Sequence, residues 1–146
     1  MYILLEALIQ DSPFVLLNIY APNKSTKQCD FFNKIAKELK SSLTFSDFSL
    51  VVGGDFNMFF DQDLDGSRGV KKMKESVKIP DDICLEQDLI DIWHVRNPTE
   101  KRFTWRQKIP IIQRNLDFWL VNDGLQDDIV SADITPSTKS DHSAIR

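Results

Sequence analysis

Residues 50–57 read LVVGGDFN: an apolar run meets two glycines and stops on an acid and an amide, Asp55 and Asn57. No other stretch constrains the fold as much, because it reads as a buried strand ending in polar groups, and such a strand needs a sheet around it. Asp and Asn are turn formers whose side chains bond to nearby backbone. The same placement also makes the strand a pedestal for two polar groups. A two-residue strand period points Asp55 and Asn57 the same way, and the glycines admit close approach of backbone or ligand. An oxygen pair of this kind suits a hard cation such as magnesium.

The flanking segments supply the sheet and its cover. Apolar runs at 2–9 and 13–20, separated by Gln10-Asp11-Ser12, read as an antiparallel hairpin that breaks at Pro22-Asn23. Residues 26–43 place Phe31, Phe32, Ile35, Ala36, Leu39 and Leu43 on one side at helical spacing, with lysines opposite. Ser25 and Gln28 have capping-box spacing at its start. The pattern then predicts a strand at 48–54, an exposed polar excursion over 61–76 and a helix over 80–89 led in by Pro80, Asp81 and Asp82. Strands are expected at 102–106, 115–121 and 128–134, and SDHSAIR reads as a loop running into one more. Strands and helices alternate without a glycine fingerprint for dinucleotides, so the fold class is α/β or α+β, a layered domain. At 146 residues the chain is one domain's worth.

Bulk properties exclude several functions. A net charge of −4 argues against a basic surface that coats long nucleic acid, though it leaves room for an enzyme touching a few phosphates through a metal ion. The opening MYILLEALIQ has no basic leader and is too short to span a bilayer, so neither a signal peptide nor a membrane partner is expected. Cys29 and Cys84 are far apart and lack zinc spacing, which fits a reducing, intracellular setting.

Several residues could carry chemistry, each with a plainer reading beside it. His142, preceded by Ser140 and Asp141, is a surface pair or a catalytic imidazole. Strand alternation sets Asp117, Trp119 and Val121 against Leu116, Phe118 and Leu120, and an acid on an apolar strand is costly unless paired. Its partner is either a nearby arginine or His142, whose tautomer it would then fix. Tyr20 is a core lid or a functional phenol, and Thr104 and Trp105 are equally open. His94, after Trp93, has no obvious partner and reads as structural. Lys101, Arg102, Arg106, Lys108 and Arg114, interleaved with Trp105, are a solvated face or a contact for a DNA backbone.

Taken together, NIYAPN, GGDFN, FTW, LDFWLV and SDHSAI, in this order, resemble the endonuclease/exonuclease/phosphatase superfamily with the DNase I-like fold. Within it the chain looks most like the endonuclease domain of LINE-type (non-LTR) retrotransposons, themselves similar to apurinic endonucleases. LIDIWHVRNPTEKRFTW is typical of that branch, and the likeness covers nearly the whole chain. It implies a DNA-nicking enzyme in which a magnesium (or manganese) ion and a charged histidine stabilise a scissile phosphate while water attacks. By this likeness Asp55 orients or activates the water, Asn57 contacts the phosphate, and His142 hydrogen-bonds a phosphate oxygen while Asp117 holds it. Asp141 and Asp55 lie at the metal, Tyr20 is on the phosphate side, and Thr104 and Ser140 support. Arg106, Lys108 and Arg114 are the candidate DNA contacts. DNA is the implied partner, a reverse transcriptase region the implied neighbour in a parent protein, and the nucleus the implied place of action.

Two departures from the family pattern stand out. The arginine common before Leu-Asp is replaced by Asn115, with Arg114 one step earlier. The family's first third, with an Asn and the Glu that is a principal metal ligand, has no counterpart before NIYAPN, where the one glutamate, Glu6, sits in a different context. The expectation is therefore a partial DNase I-like β-sandwich flanked by helices, spanning residues 1–146, with impaired nicking. The alternatives are a non-catalytic remnant of such a domain, or a phosphatase or deadenylase of the same superfamily.

Overall fold

Two left-handed residues, Gln10 (φ 51°) and Asp11 (φ 63°), turn the chain between β1 (Tyr2–Ile9) and β2 (Ser12–Tyr20). Such a pair gives the tight turn whose twist matches that of paired strands. The hairpin is antiparallel from Ile9↔Ser12 to Tyr2↔Ile19, as the two apolar runs predict. The computed structural model describes residues 1–41, 44, 47–67 and 78–146. Leu43 and most of the polar excursion (68–76) lie outside the described residues.

Helix α1 (Ser25–Ser41) returns the chain to β3 (Ser49–Asp55), which runs parallel to β2. Its buried face is Phe32, Ile35 and Leu39, with Phe31 and Ala36 partly buried beside them. Gln28 is no capping-box residue. Its amide is fully buried and donates to the carbonyls of Pro22 (2.8 Å) and Asn57 (3.0 Å), tying the helix to the loop before it and to the loop after β3.

The stretch after β3 departs from an exposed excursion at its start. Asp61 caps a short helix, α2 (Gln62–Asp65), through the Asp63 and Leu64 amides, and Asp65 is only 1% exposed. The helix expected at 80–89 is α3 (Lys78–Glu86), followed by β4 (Leu89–Asp91) and α4 (Ile92–Arg96). The strand expected at 102–106 lies at β5 (Trp105–Gln107), which forms a hairpin with β6 (Ile112–Arg114). The strand expected at 115–121 is β7 (Asp117–Asn122). The segment 128–134 is not a strand: only Ile134–Thr135 (β8) pairs, with β9 (Ala144–Ile145). Arg96 takes the carbonyls of Gln126 and Ile129, and Val130 is 98% exposed, so the stretch has neither a ladder nor a buried face.

The main sheet has the order β1-β2-β3-β7-β4, with β7 antiparallel to both of its neighbours. One face, formed by Val15, Leu17, Ile19, Leu50, Val52, Phe118 and Leu120, packs on α1 and on Ile83 of α3. The two glycines of β3 serve this packing. A side chain at Gly54 (φ 131°) would strike the Ile19 carbonyl, and one at Gly53 would strike the Trp119 ring. They admit neighbouring protein rather than a ligand. The opposite face carries Ile3, Leu5, Phe14, Val51, Trp119 and Val121, and a groove of about 690 Å3 runs along part of it.

Candidate active site

Asp55 is the last residue of β3 and Asp117 the first of β7, and the two are register partners. Tyr20, the last residue of β2, is the partner of Asp55 on its other side. Pleating puts all three on the sheet face away from α1, at one end. The residue between the polar pair, Phe56, turns inward, stacking on Phe32 and meeting Phe118 edge-on, which anchors the loop in the core.

Strand period is not what aligns Asn57 with Asp55. Asn57 lies beyond the strand in the left-handed region (φ 50°), which Asn tolerates better than most residues. Asp55 Oδ1 accepts the Asn57 backbone N–H (2.8 Å), and Asp55 Oδ2 accepts its side-chain amide (3.1 Å). That amide also donates to the Ala21 carbonyl (2.9 Å). The turn former and the pedestal are thus one arrangement, in which Asn57 fixes the acid and joins β3 to the end of β2.

His142 is brought to this end by a backbone bridge to Trp105. Its Nδ1 lies 2.9 Å from Asp117 Oδ2, so the acid of the apolar strand has the histidine as its partner. Asp55, Asp117 and His142 each offer a ligand atom within 4.8 Å of the others, although 87 positions separate the first from the last in sequence. Burial pushes the Asp55 carboxyl up to about 6, with the field of Asp117 adding to it and the Asn57 N–H and His142 opposing. Two carboxylates facing each other beside an imidazole are a donor set that fits a hard divalent cation. Asp55 and Asp117 are the oxygens that would hold it.

Thr104 is wholly buried and binds the site together. Its hydroxyl accepts the Leu116 (2.9 Å) and Asp117 (3.1 Å) amides, and its carbonyl accepts the Ser143 amide, joining the strand of Asp117 to the loop of His142. Ser140 Oγ accepts the His142 amide (3.1 Å). Asp141 stands apart from the cluster: it is exposed, and its carboxylate accepts the Trp105 indole N–H (3.1 Å) and the Ser140 hydroxyl (3.4 Å). The β5–β6 hairpin flanks the site through the Arg106 amide, which donates to the Asp141 carbonyl. Arg106 and Lys108 are exposed, and the Arg114 guanidinium lies 5.8 Å from the Trp105 ring centre. Sequence reasoning missed the Gln28 clamp and the partners of His94, which are Asp91 and Asp65.

Comparison with known proteins follows the same line. No family model matches the sequence. Over 133 residues the chain is 26% identical to the transposon TX1 uncharacterized 149 kDa protein of Xenopus laevis, covering 89% of this chain and 10% of that one. Its structure is similar to an AP endonuclease from Archaeoglobus fulgidus (TM-score 0.76, 18% identity), matching 97% of this chain and 63% of that one. It is also similar to the APE2 catalytic domain of Xenopus laevis (TM-score 0.74, 17% identity), matching 99% of this chain and 52% of that one. The fold is DNase I-like, as the five motifs imply, and the chain is similar in sequence to a transposon protein. The chain spans a tenth of the transposon protein and less than two thirds of either solved relative.

Proposed function

We propose that residues 1–146 are the larger part of a retrotransposon-type endonuclease domain that nicks DNA by metal-assisted hydrolysis of a phosphodiester. The observation that carries this reading is the convergence of Asp55, Asp117 and His142, drawn from three separate motifs, at one end of a DNase I-like sheet. The transposon relative favours DNA over other phosphoesters, and acting on chromosomal DNA entails a nuclear setting.

With Nδ1 engaged by Asp117, His142 presents Nε2 to a phosphate oxygen, and as imidazolium it donates a proton to that contact. Ionised Asp55 orients the attacking water or takes its proton. Both Asn57 amide contacts point at protein, so its part is to hold the Asp55 carboxylate in place. Tyr20, 59% exposed beside Asp55, is positioned for a phosphate on the β2 side. Asp55, with Asp117 or the Asp141 that the resemblance implies, would hold magnesium or manganese, which would supply charge neutralisation at the phosphate. Arg106, Lys108 and Arg114 meet the DNA backbone from the adjoining hairpin.

The test is nicking of supercoiled plasmid by a protein in which these residues are joined to the segment that the solved relatives have and this chain does not match. Nicking should require magnesium, stop in EDTA and fall roughly 10²–10⁴-fold in His142→Ala. Cleavage that survives EDTA, or an unchanged rate in His142→Ala, sinks the reading.

A further inference from the structure

We infer that His94 is a positioning residue, whose contacts with Asp65 and Asp91 fix the start of the strand that carries Asp117. This deepens the reading above, since Asp117 and His142 are the groups positioned. His94 is not part of the Asp55, Asp117 and His142 cluster, and each of its ring nitrogens meets a different carboxylate. Nδ1 is 2.6 Å from Asp91 Oδ2, and Nε2 is 3.3 Å from Asp65 Oδ1. A neutral imidazole has one N–H and would turn a lone pair toward one of these acids. The imidazolium gives Asp91 an N–H donor and sets a positive charge beside Asp65.

Asp65 is the joint through which this matters. One carboxylate oxygen accepts the backbone amides of Phe60 (3.2 Å) and Asp61 (3.0 Å), closing the chain that leaves Asp55 and Asn57. The other is shared by His94 and the Asn115 side-chain amide (3.2 Å), and the Asp65 carbonyl accepts the Asn115 backbone N–H (2.8 Å). Asn115 is 1% exposed, and its own amide oxygen has no hydrogen-bond partner among the described residues. Asp65 is therefore what holds it in place. Two residues on is Asp117, and the intervening Leu116 carbonyl accepts the Phe56 amide, next to Asp55. Burial pushes the Asp65 carboxyl up, and the Asp61 amide, the positive field of His94 and the Asn115 amide pull it back toward the ionised form.

The charged groups that face His94 among the described residues are Asp91 at the cap of its own helix, Asp65 on α2 and Asp61 just before it. Burial opposes the charge on His94, but the Asp91 hydrogen bond and the fields of Asp91, Asp65 and Asp61 outweigh it, so the ring titrates above its usual range. A raised histidine contributes stability that is complete below its unfolded value and is lost as pH rises through its folded value.

The chain has two histidines, so imidazole and amide NMR on the full chain resolves both rings through one pH titration. The amides of Phe60, Asp61 and Asn115 should shift with the midpoint of the His94 ring. His94→Gln should abolish that step, and His94→Arg, which keeps a permanent charge with several donors, should hold these amides at their low-pH positions throughout. Amides that ignore the His94 transition, or that follow only His142, overturn the inference, and the wild-type titration decides this even if a variant fails to fold. No activity enters the measurement, so a failed nicking assay with a normal titration condemns the nuclease reading alone.

Discussion

Asp55 and Asp117 close the antiparallel ladder between β3 and β7 as direct register partners, two acids facing each other at the sheet's end. Like charges in that position oppose folding, and burial adds to the cost at Asp55. The arrangement is one that stability alone does not favour, which is the usual mark of a site held for chemistry.

Asp55→Asn should therefore stabilise the fold in a pH-dependent way. The folded carboxyl titrates at about 6 against 3.8 for the free group, so the folded state holds the proton more tightly. Stability is greatest below the lower value and is lost as pH rises through the upper one. At about 1.4 kcal/mol per unit the penalty at neutral pH is about 3 kcal/mol. Replacing the acceptor that faces the Asn57 amide returns about 1 kcal/mol of it. Urea unfolding should show the variant more stable than wild type at pH 7.5 and no more stable at pH 4. An equal difference at both would mean that Asp55 carries no buried charge.

A divalent cation should relieve the same repulsion. Magnesium at a hundredfold excess over its dissociation constant should stabilise the chain by about 2.7 kcal/mol at pH 7.5. Thermal melts should show the effect shrinking at pH 5, where Asp55 is protonated, and vanishing in Asp55→Ala. A magnesium response that persists in Asp55→Ala places the ion elsewhere.

Thr104→Val keeps the shape of the side chain and removes the acceptor of two backbone amides, those of Leu116 and Asp117. Buried donors left unpaired cost about 1–3 kcal/mol each, so denaturation should report a loss of about 3 kcal/mol, with Thr104→Ser close to wild type. If valine costs no more than serine, the hydroxyl is not the tie between the strand and the His142 loop.

Neutralising Arg106 and Lys108 on the β5–β6 hairpin should weaken DNA binding and flatten its dependence on salt. Two lost phosphate contacts lower the slope of log K against log[salt] by about 1.8. Binding and slope that stay the same would return these residues to the solvated surface.

How far the sequence reveals this site depends on the range of each signal. The hairpin at 2–20 and the face of α1 were legible because periodicity is local. Asp55, Asp117 and His142 were legible because each sits in a short motif whose order is informative. The Asp65–His94–Asp91 cluster was not: Asp65 lies in a polar, acidic run that reads as solvated, and its partner Asn115 is 50 positions away. Asn57 was placed correctly beside Asp55 for a reason that the backbone corrects, since a left-handed residue after the strand leaves no trace in a two-residue period. The stretch 128–134 looked like a strand because Ile129, Val130 and Ile134 are β-branched, and propensity is silent on whether a neighbouring edge is there to pair with.

Residues 1–146 by themselves should nick DNA poorly. Asp55 and Asp117 supply two carboxylates, and magnesium affinity depends on the number and rigidity of such ligands. The resemblance implies a glutamate as a further ligand, and Glu6, in a different context, is the one glutamate before Tyr20. Among the described residues the sheet face that bears the site also exposes Ile3 (63%) and Leu5 (54%) of the edge strand β1, with Ile9 (44%) at its far end. Exposed apolar strand edges invite association. More than a third of the Archaeoglobus fulgidus structure has no match in this chain, and a segment of that kind could cover the face and complete the ligand set. Light scattering of the purified chain should show self-association, and plasmid assays should show little magnesium-dependent nicking until such a segment is joined to it. Strong, EDTA-sensitive nicking by residues 1–146 alone would overturn this and point to Asp61 or Asp63 as a substitute ligand.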